Sequence, residues 1–377
     1  MRGLLTFALS ILFLVWGAPE GLCSNIKVTS PSRGALSGGS TTVSFNISWN
    51  YSWRRASVIG NWDAAWVFVK FRKNGGNWAH ASLNNTGHSM PSGATYTTGL
   101  VDTSSAFNIS SNPAVGVFIF RSSDGSGTFT ANSVSLSWNY AQDGVTSGDT
   151  VEIRVFAIEM VYVPYGGFFA GDNATSTNSL QQGSSDNDPW WIGSEDAITT
   201  ANVAGTGTGM SETAAEYYYP GSGDSAGSAF TIPAAFPKGY QSFYIMKGEI
   251  GQGQWIEFFN TLTATQQSTR DITSATGKNT DNLSDRNNVS WTGSGNATLP
   301  DRGSGATYEW AGMGYLSWAD LTAYLDWAGL RPMSELEFEK AARGIQRAVS
   351  GEYAWGDTSI TQATTVSYTH LRAHETL

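Results

Sequence analysis

The segment from Tyr315 to Gly344, YLSWADLTAYLDWAGLRPMSELEFEKAARG, carries two complete sets of helix start and stop signals. Ser317 can accept from the free backbone N–H groups of a helix start, and Asp320 can reach back to the N–H of Ser317. Leu316 and Leu321 are placed as a hydrophobic staple around that cap. Trp318, Leu321, Leu325 and Ala328 share one face at helical spacing, and Gly329 stands where a left-handed residue ends the helix. The pattern then repeats: Ser334 caps, Glu337 closes the capping box, Met333 and Phe338 can staple, and Gly344 stops the second helix. Glu339 and Arg343, four residues apart, predict an ion pair worth ~0.2–0.5 kcal/mol on an exposed face. Taken singly, these residues describe packed helices with charged outer faces and no chemistry.

As a string, the segment resembles the signature of the formylglycine-generating enzyme family, the sulfatase-modifying-factor domain. Ser317-Trp318, Asp320, Ala323-Tyr324, Trp327-Ala328-Gly329, Arg331, Glu335, Glu337, Glu339 and Ala341 to Gly344 fall on its pattern. Leu325 stands where the pattern often has Cys, and Pro332-Met333-Ser334 replaces Leu-Pro-Thr. Further blocks occur in the family's order. Met160 to Asp172 resembles its opening strand pair, with Tyr165 and Ala170 as departures. Phe243 to Asn260 resembles its next strand and helix, with Gln254, Trp255, Phe258 and Asn260 in register and Gly251 replacing a Thr cap. Tyr353 to Asp357 resembles its F-P-W-G-[ND] motif.

The resemblance implies an α+β, C-type-lectin-like, formylglycine-generating-enzyme-type domain over residues 159–365, incomplete at its C-terminal end. Active members use molecular oxygen and a copper ion held by two cysteines to oxidise a sulfatase cysteine to formylglycine. Thiolates suit that task because they are soft ligands for Cu(I). By the resemblance those cysteines, and the calcium ligands of the family, lie beyond the point matching Thr365. No catalytic, cofactor-binding or metal-binding residue therefore carries over to a position in this chain, and copper and calcium are expected only with the missing half. Related iron-dependent sulfoxide synthases take histidine ligands from an N-terminal helical bundle, which the β pattern described next does not match.

Residues 24–158 read as an all-β, sandwich-like domain. Val43, Phe45, Ile47 and Trp49 alternate with polar residues, as do Val134, Leu136, Trp138 and Tyr140, giving strands with one buried face. Trp66 to Phe71 and Val115 to Phe120 are apolar on both faces and read as central strands. Val151, Ile153 and Val155 supply a last strand. Asn74-Gly75-Gly76 and Asp124-Gly125 mark turns. His80 and His88 read as loop histidines rather than metal ligands. Trp49, Trp53, Trp62, Trp66 and Trp78 fit either a sandwich core or a sugar-stacking face. Between the family-like blocks lie two long polar loops. In the first, Asp186 and Asp188 match no calcium-loop spacing and read as solvated.

Residues 1–23 pair Arg2 with an apolar run from Leu4 to Val15 and a small-residue exit at Gly21 and Cys23, which reads as a signal peptide. The run is too short to span a bilayer, and no later segment replaces it. The chain is thus expected to be secreted or at the cell surface, and cleavage after Cys23 removes its one cysteine. A net charge of −10 with no basic stripe excludes nucleic acid as a partner. Val366 to Thr376, VSYTHLRAHET, reads as the translation of a transposon-end sequencing adapter, so residues 366–377, with His370 and His374, are set aside as an artefact. Three functions remain open: a copper oxidase acting on a sulfatase-like protein, a noncatalytic binder of glycan or protein, and a surface structural module.

Overall fold

The computed structural model describes residues 25–57, 60–99, 113–171, 181–182, 189–201, 217–218, 231–273, 287–300, 309–349, 351–352 and 358–359. The leader, Asp186 and Asp188, the Tyr353 to Asp357 block and the 366–377 tail lie outside the described residues. The elements in order are β1 (Lys27–Arg33), β2 (Thr41–Arg55), β3 (Asn61–Lys73), β4 (Ala79–His80), β5 (Ala94–Gly99), β6 (Gly116–Arg121), β7 (Gly125–Trp138) and β8 (Val151–Val163). Short strands follow: β9 (Phe168–Ala170), β10 (Gln181–Gln182), β11 (Trp190–Ile192), β12 (Ile198–Ala201), β13 (Tyr217–Tyr218), β14 (Thr231–Ile232) and β15 (Phe243–Met246). The helices are α1 (Gln252–Phe259), α2 (Ala264–Thr269), α3 (Trp318–Ala328) and α4 (Glu335–Arg343). The layout is β-rich first and α+β after.

Alternation in β2 turns Val43, Phe45, Ile47 and Trp49 inward, and β7 answers with Phe129, Ala131, Val134, Leu136 and Trp138. This β1–β2–β7 layer packs on the layer β5–β6–β3–β8 through Ala65, Val67, Val69 and Phe71 of β3 and Val117 and Ile119 of β6. The two layers join at the β2–β3 hairpin, where Arg54 pairs with Trp62. Asn74 and Gly75, both at positive φ, turn the chain from β3 into β4.

β3 is buried along both faces from Asp63 to Phe71, the run that alternation alone does not explain. Its second face, Trp66 and Phe68, enters another core with Phe156 and Ile158 of β8, Trp255 and Phe258 of α1, and Tyr324, Leu325 and Trp327 of α3. The sheet is thus shared by a β layer on one side and a helical layer on the other. The boundary expected at 158/159 falls inside β8, which runs on to Val163. There β15 pairs with it, Phe243 opposite Val163 and Met246 opposite Met160. Trp66 is the main contact between layers: its Nε1 donates to Ala328 O at 2.8 Å, satisfying a carbonyl at the end of α3. Gly99 and Gly116 make room for its ring, since a Cβ at either would stand 2.2 or 2.6 Å from it.

Both capping boxes form as the sequence predicts, with Ser317 and Asp320 at α3, Ser334 and Glu337 at α4, and Gly329 left-handed at φ 70°. The buried face of α3 keeps Leu325 and Ala328 of the expected one but is rotated: Trp318 is 66% exposed, while Asp320, Tyr324 and Trp327 also face inward. The cause is long-range: Asp320 meets Arg270 at 3.0 Å and Ala328 is held by Trp66, which together set the helix rotation. Met333 and Phe338 are both exposed. At α1 the missing Thr cap has a reason. A Cβ on Gly251 would lie 2.8 Å from Glu309 O, and Gln254 Oε1 accepts from the Gly251 N–H instead. No helix among the described residues is long and apolar enough to cross a membrane.

Candidate functional site

The polar residues of the α3–α4 signature hold the scaffold together. Glu337 takes Arg331 in a bidentate pair at 2.8 and 2.5 Å and also accepts from the Ser334 N–H. Glu339 and Arg343 pair at 3.3 Å, but on a half-buried face rather than an exposed one. Both bond to Gly171, Arg343 to its carbonyl and Glu339 to its N–H. Lys340, 2% exposed, donates to Pro164 O, Gly166 O and Gly239 O at 2.7, 3.0 and 2.7 Å. These bonds lock α4 onto the turn between β8 and β9, the block that resembles the family's opening strand pair.

The histidines are structural, and neither sits among metal-ligand partners. His80 Nε2–H donates to Val115 O at 2.5 Å, so Nδ1 accepts from Lys70 Nζ at 3.1 Å. Burial, followed by the Lys70 charge, pulls the imidazole down to about 4. Burial likewise pulls Lys70 down to about 8. His88 Nδ1 accepts from the Ser137 N–H at 3.0 Å. The tryptophans form no common sugar-stacking face. Trp49 and Trp66 lie in different cores, Lys247 stands 5.0 Å over Trp53, Arg54 4.7 Å over Trp62, and Arg72 and Arg154 5.0 and 4.6 Å from Trp78.

Two buried carboxyl groups, Asp63 and Glu159, were not legible as a pair in the sequence. Asp63 accepts from Trp49 Nε1 at 2.7 Å, Ser52 Oγ at 2.8 Å and the Trp53 N–H at 3.0 Å. Glu159 takes Lys247 Nζ at 2.5 Å. Burial pushes Glu159 up to about 7, Lys247 opposes this, and the Asp63 charge adds to it. A raised carboxyl contributes stability that is full below its unfolded value of about 4.5 and is lost as pH rises through about 7. Glu159→Gln is therefore expected to shrink the stability difference between pH 5 and pH 8 by about 2 kcal/mol. Urea unfolding at the two pH values measures this, and an unchanged difference would show that Glu159 does not titrate in this window.

A strip of aromatic and charged side chains lies where the helical layer meets the sheet. In the β3–β8 register Lys70 stands opposite Arg154, one row beyond Phe68 and Phe156. Trp327 packs edge-on to both of those rings at 4.9 and 4.8 Å, and Lys70 Nζ is 5.5 Å from the Trp327 ring. Across the strip, Phe258 lies 5.5 Å from Trp327 and 5.7 Å from Tyr324, and Glu257 precedes it on α1. Glu309 sits over Gly253, whose N–H donates to Glu309 O at 2.9 Å, one helical turn before Glu257. Glu257 is exposed, and the surrounding protein, followed by the Glu309 charge, pushes its carboxyl up to about 7 against the pull of Arg154.

Two buried polar atoms of α3 stand without hydrogen-bond partners. Tyr324 is fully buried and Trp327 is 9% exposed, and neither the Tyr324 hydroxyl nor Trp327 Nε1 has a hydrogen-bond partner. Burial and the Glu257 charge push the Tyr324 hydroxyl well above its ordinary range. Arg154 rests on Trp78 and forms no ion pair among the described residues. A buried donor left unsatisfied costs about 1–3 kcal/mol, so the Tyr324 hydroxyl and Trp327 Nε1 call for an explanation beyond packing. The sequence gives no sign of this strip, because Arg154, Glu257 and Tyr324 belong to β8, α1 and α3, which meet only through strand register and helix packing.

A copper ion held by two cysteines does not fit this chain, whose one cysteine is Cys23. Among the described residues no three His, Cys, Asp or Glu side chains group closely enough to hold a metal ion. Compared with known families, residues 220–375 match the sulfatase-modifying factor enzyme 1-like domain. No curated protein and no solved structure matches the chain.

Proposed function

Since residues 220–375 carry a sulfatase-modifying factor enzyme 1-like domain, we propose that the chain is a secreted sulfatase-modifying-factor protein in which a lectin-like domain works as a binding module for another protein. The observation that supports it lies between α1, α3 and the sheet, where the buried Tyr324 hydroxyl and Trp327 Nε1 have no hydrogen-bond partner and the charged Arg154 and Glu257 stand nearby. A protein segment suits those groups better than a glycan. Sugars stack on free aromatic faces, and here cations cover Trp53, Trp62 and Trp78.

The family match itself favours a second reading, oxidation of a sulfatase-type cysteine to formylglycine. The two separate in one assay. The chain is incubated with a cysteine-containing sulfatase peptide, oxygen and Cu(I), and both retention and conversion are followed by mass spectrometry. Retention without conversion is the expected result. Conversion to the aldehyde by this chain, with its single Cys23, would replace the binding reading with the enzymatic one.

A further inference from the structure

We propose that Asn296 is a covalent modification site, the acceptor for an N-linked oligosaccharide delivered from a lipid pyrophosphate carrier. This rests on the secreted reading above and is independent of the binding one.

Transfer of a sugar to an asparagine amide needs Asn-x-Ser/Thr, with x not proline, on a surface segment of a secreted chain. Asn296-Ala297-Thr298 has that sequence. Ser290 and Thr298 close a hairpin, each N–H donating to the other's carbonyl at 2.9 Å, and Gly293 and Gly295, both at positive φ, turn the chain at its tip. In extended backbone, residues two apart point the same way. Ala297 is 3% exposed, and Asn260 grips its backbone: Oδ1 accepts from the Ala297 N–H at 2.7 Å and Nδ2 donates to Ala297 O at 3.1 Å. With Ala297 held inward, Asn296 and Thr298 on either side of it are both exposed. The acceptor amide and the hydroxyl by which a transferase recognises it thus share one outward face. Trp291 Nε1 and Gln267 Nε2 both donate to Gly295 O, at 3.1 and 3.3 Å, which braces the tip. Nothing lies within 4 Å of a Cβ built on Gly293 or Gly295, so the tip stands in open space that a large polar group can occupy.

The other Asn-x-Ser/Thr sequences among the described residues are tied into the fold. Asn288 is 1% exposed, and its Nδ2, the atom that would take the sugar, donates to Pro300 O at 2.7 Å. Asn84 Nδ2 donates to the Ser40 and Ser137 hydroxyls at 3.2 and 2.7 Å. Asn46 and Asn50 are half-buried in β2 and accept from the Ser133 N–H and the Thr128 hydroxyl. Asn296, in contrast, is exposed, and its amide forms no hydrogen bond among the described residues. The like sequences at Asn108, Asn173 and Asn282 lie outside the described residues. The transfer balances without a redox step. Asn296 Nδ2 bonds to C1 of the first sugar, the bond from that carbon to the carrier's pyrophosphate oxygen breaks, the pyrophosphate leaves with the electron pair, and one amide proton is released.

The test is production of the full chain in cultured insect cells, in one arm with its own residues 1–23 and in the other with those residues replaced by a known secretion leader. Cells and medium are pooled, and glycans are released enzymatically in heavy-oxygen water, which converts each glycosylated Asn to a labelled Asp. Fragment spectra read Asn288 and Asn296 separately. Label at Asn296 and none at Asn288 is the expected result in both arms. Thr298→Ala is expected to abolish the label and Thr298→Ser to keep it, while Asn296→Gln loses the mobility shift of one glycan. All three variants are expected to unfold within a few degrees of the parent, since both side chains are exposed. Absence of label at Asn296 behind the known leader would overturn the proposal, as would label that Thr298→Ala retains, or label at Asn288 equal to that at Asn296. Label at Asn296 behind the known leader but not behind residues 1–23 leaves the acceptor site standing and removes the secreted reading instead.

Discussion

Trp66→Ala is expected to destabilise the chain by about 3–5 kcal/mol and to loosen the sandwich and the signature helices together. The side chain is 1% exposed and fills a notch that Gly99 and Gly116 leave open for it, so neighbours cannot easily collapse into the space. Its indole also donates to Ala328 O, a helix-end carbonyl that α3 cannot satisfy internally. Trp66→Phe keeps part of the buried ring but loses the hydrogen bond and the ring atoms that fill the notch at Gly99 and Gly116, so an intermediate loss of about 2–3 kcal/mol is expected. Urea unfolding followed by fluorescence and by far-ultraviolet circular dichroism measures both variants. A loss under 1 kcal/mol for Trp66→Ala would mean that the helical layer does not depend on the sheet.

The second large effect is expected at Lys340. Lys340→Met keeps the length of the aliphatic stem but removes the ammonium that holds three carbonyls, Pro164 O, Gly166 O and Gly239 O. Each buried carbonyl left without a donor costs about 1–3 kcal/mol, so a loss of about 3 kcal/mol or more is expected. It should fall first on α4 and the β8–β9 turn, because Lys340 joins them at a site 2% exposed. Lys340→Arg is not a rescue, since a planar guanidinium cannot point at three carbonyls arranged around one nitrogen. Limited proteolysis locates the effect. Cleavage near Gly166 in Lys340→Met and not in the parent is the expected pattern, and equal cleavage in both would remove Lys340 from its assigned role.

What could be read in the sequence was what local physics determines. The caps at Ser317 and Ser334, the left-handed Gly329, the alternation in β2 and β7 and the turn at Asn74-Gly75 depend on neighbours a few residues away, and all appear in the structure. The two-sided burial of Trp66 to Phe71 was visible as a pattern, although its cause, helices covering the outer face, was not. Longer-range effects escaped. Trp318 points outward because Arg270 and Trp66 set the rotation of α3. Lys340 drew no notice because its partners are backbone carbonyls far away in the chain. The strip between α1, α3 and the sheet was hidden for the same reason: Arg154, Glu257 and Tyr324 belong to β8, α1 and α3, and no spacing in the sequence brings them together.

The central claim is that the signature helices are built onto the sheet of the N-terminal sandwich and stand or fall with it. Hydrogen exchange of the full chain, compared between the parent and Trp66→Ala, tests this most directly. The account predicts that peptides from α3 and from β2 and β7 lose protection together and by a similar factor, as parts of one cooperative unit. Release of α3 alone, with β2 and β7 as protected as in the parent, would contradict it and separate the two halves into independent domains.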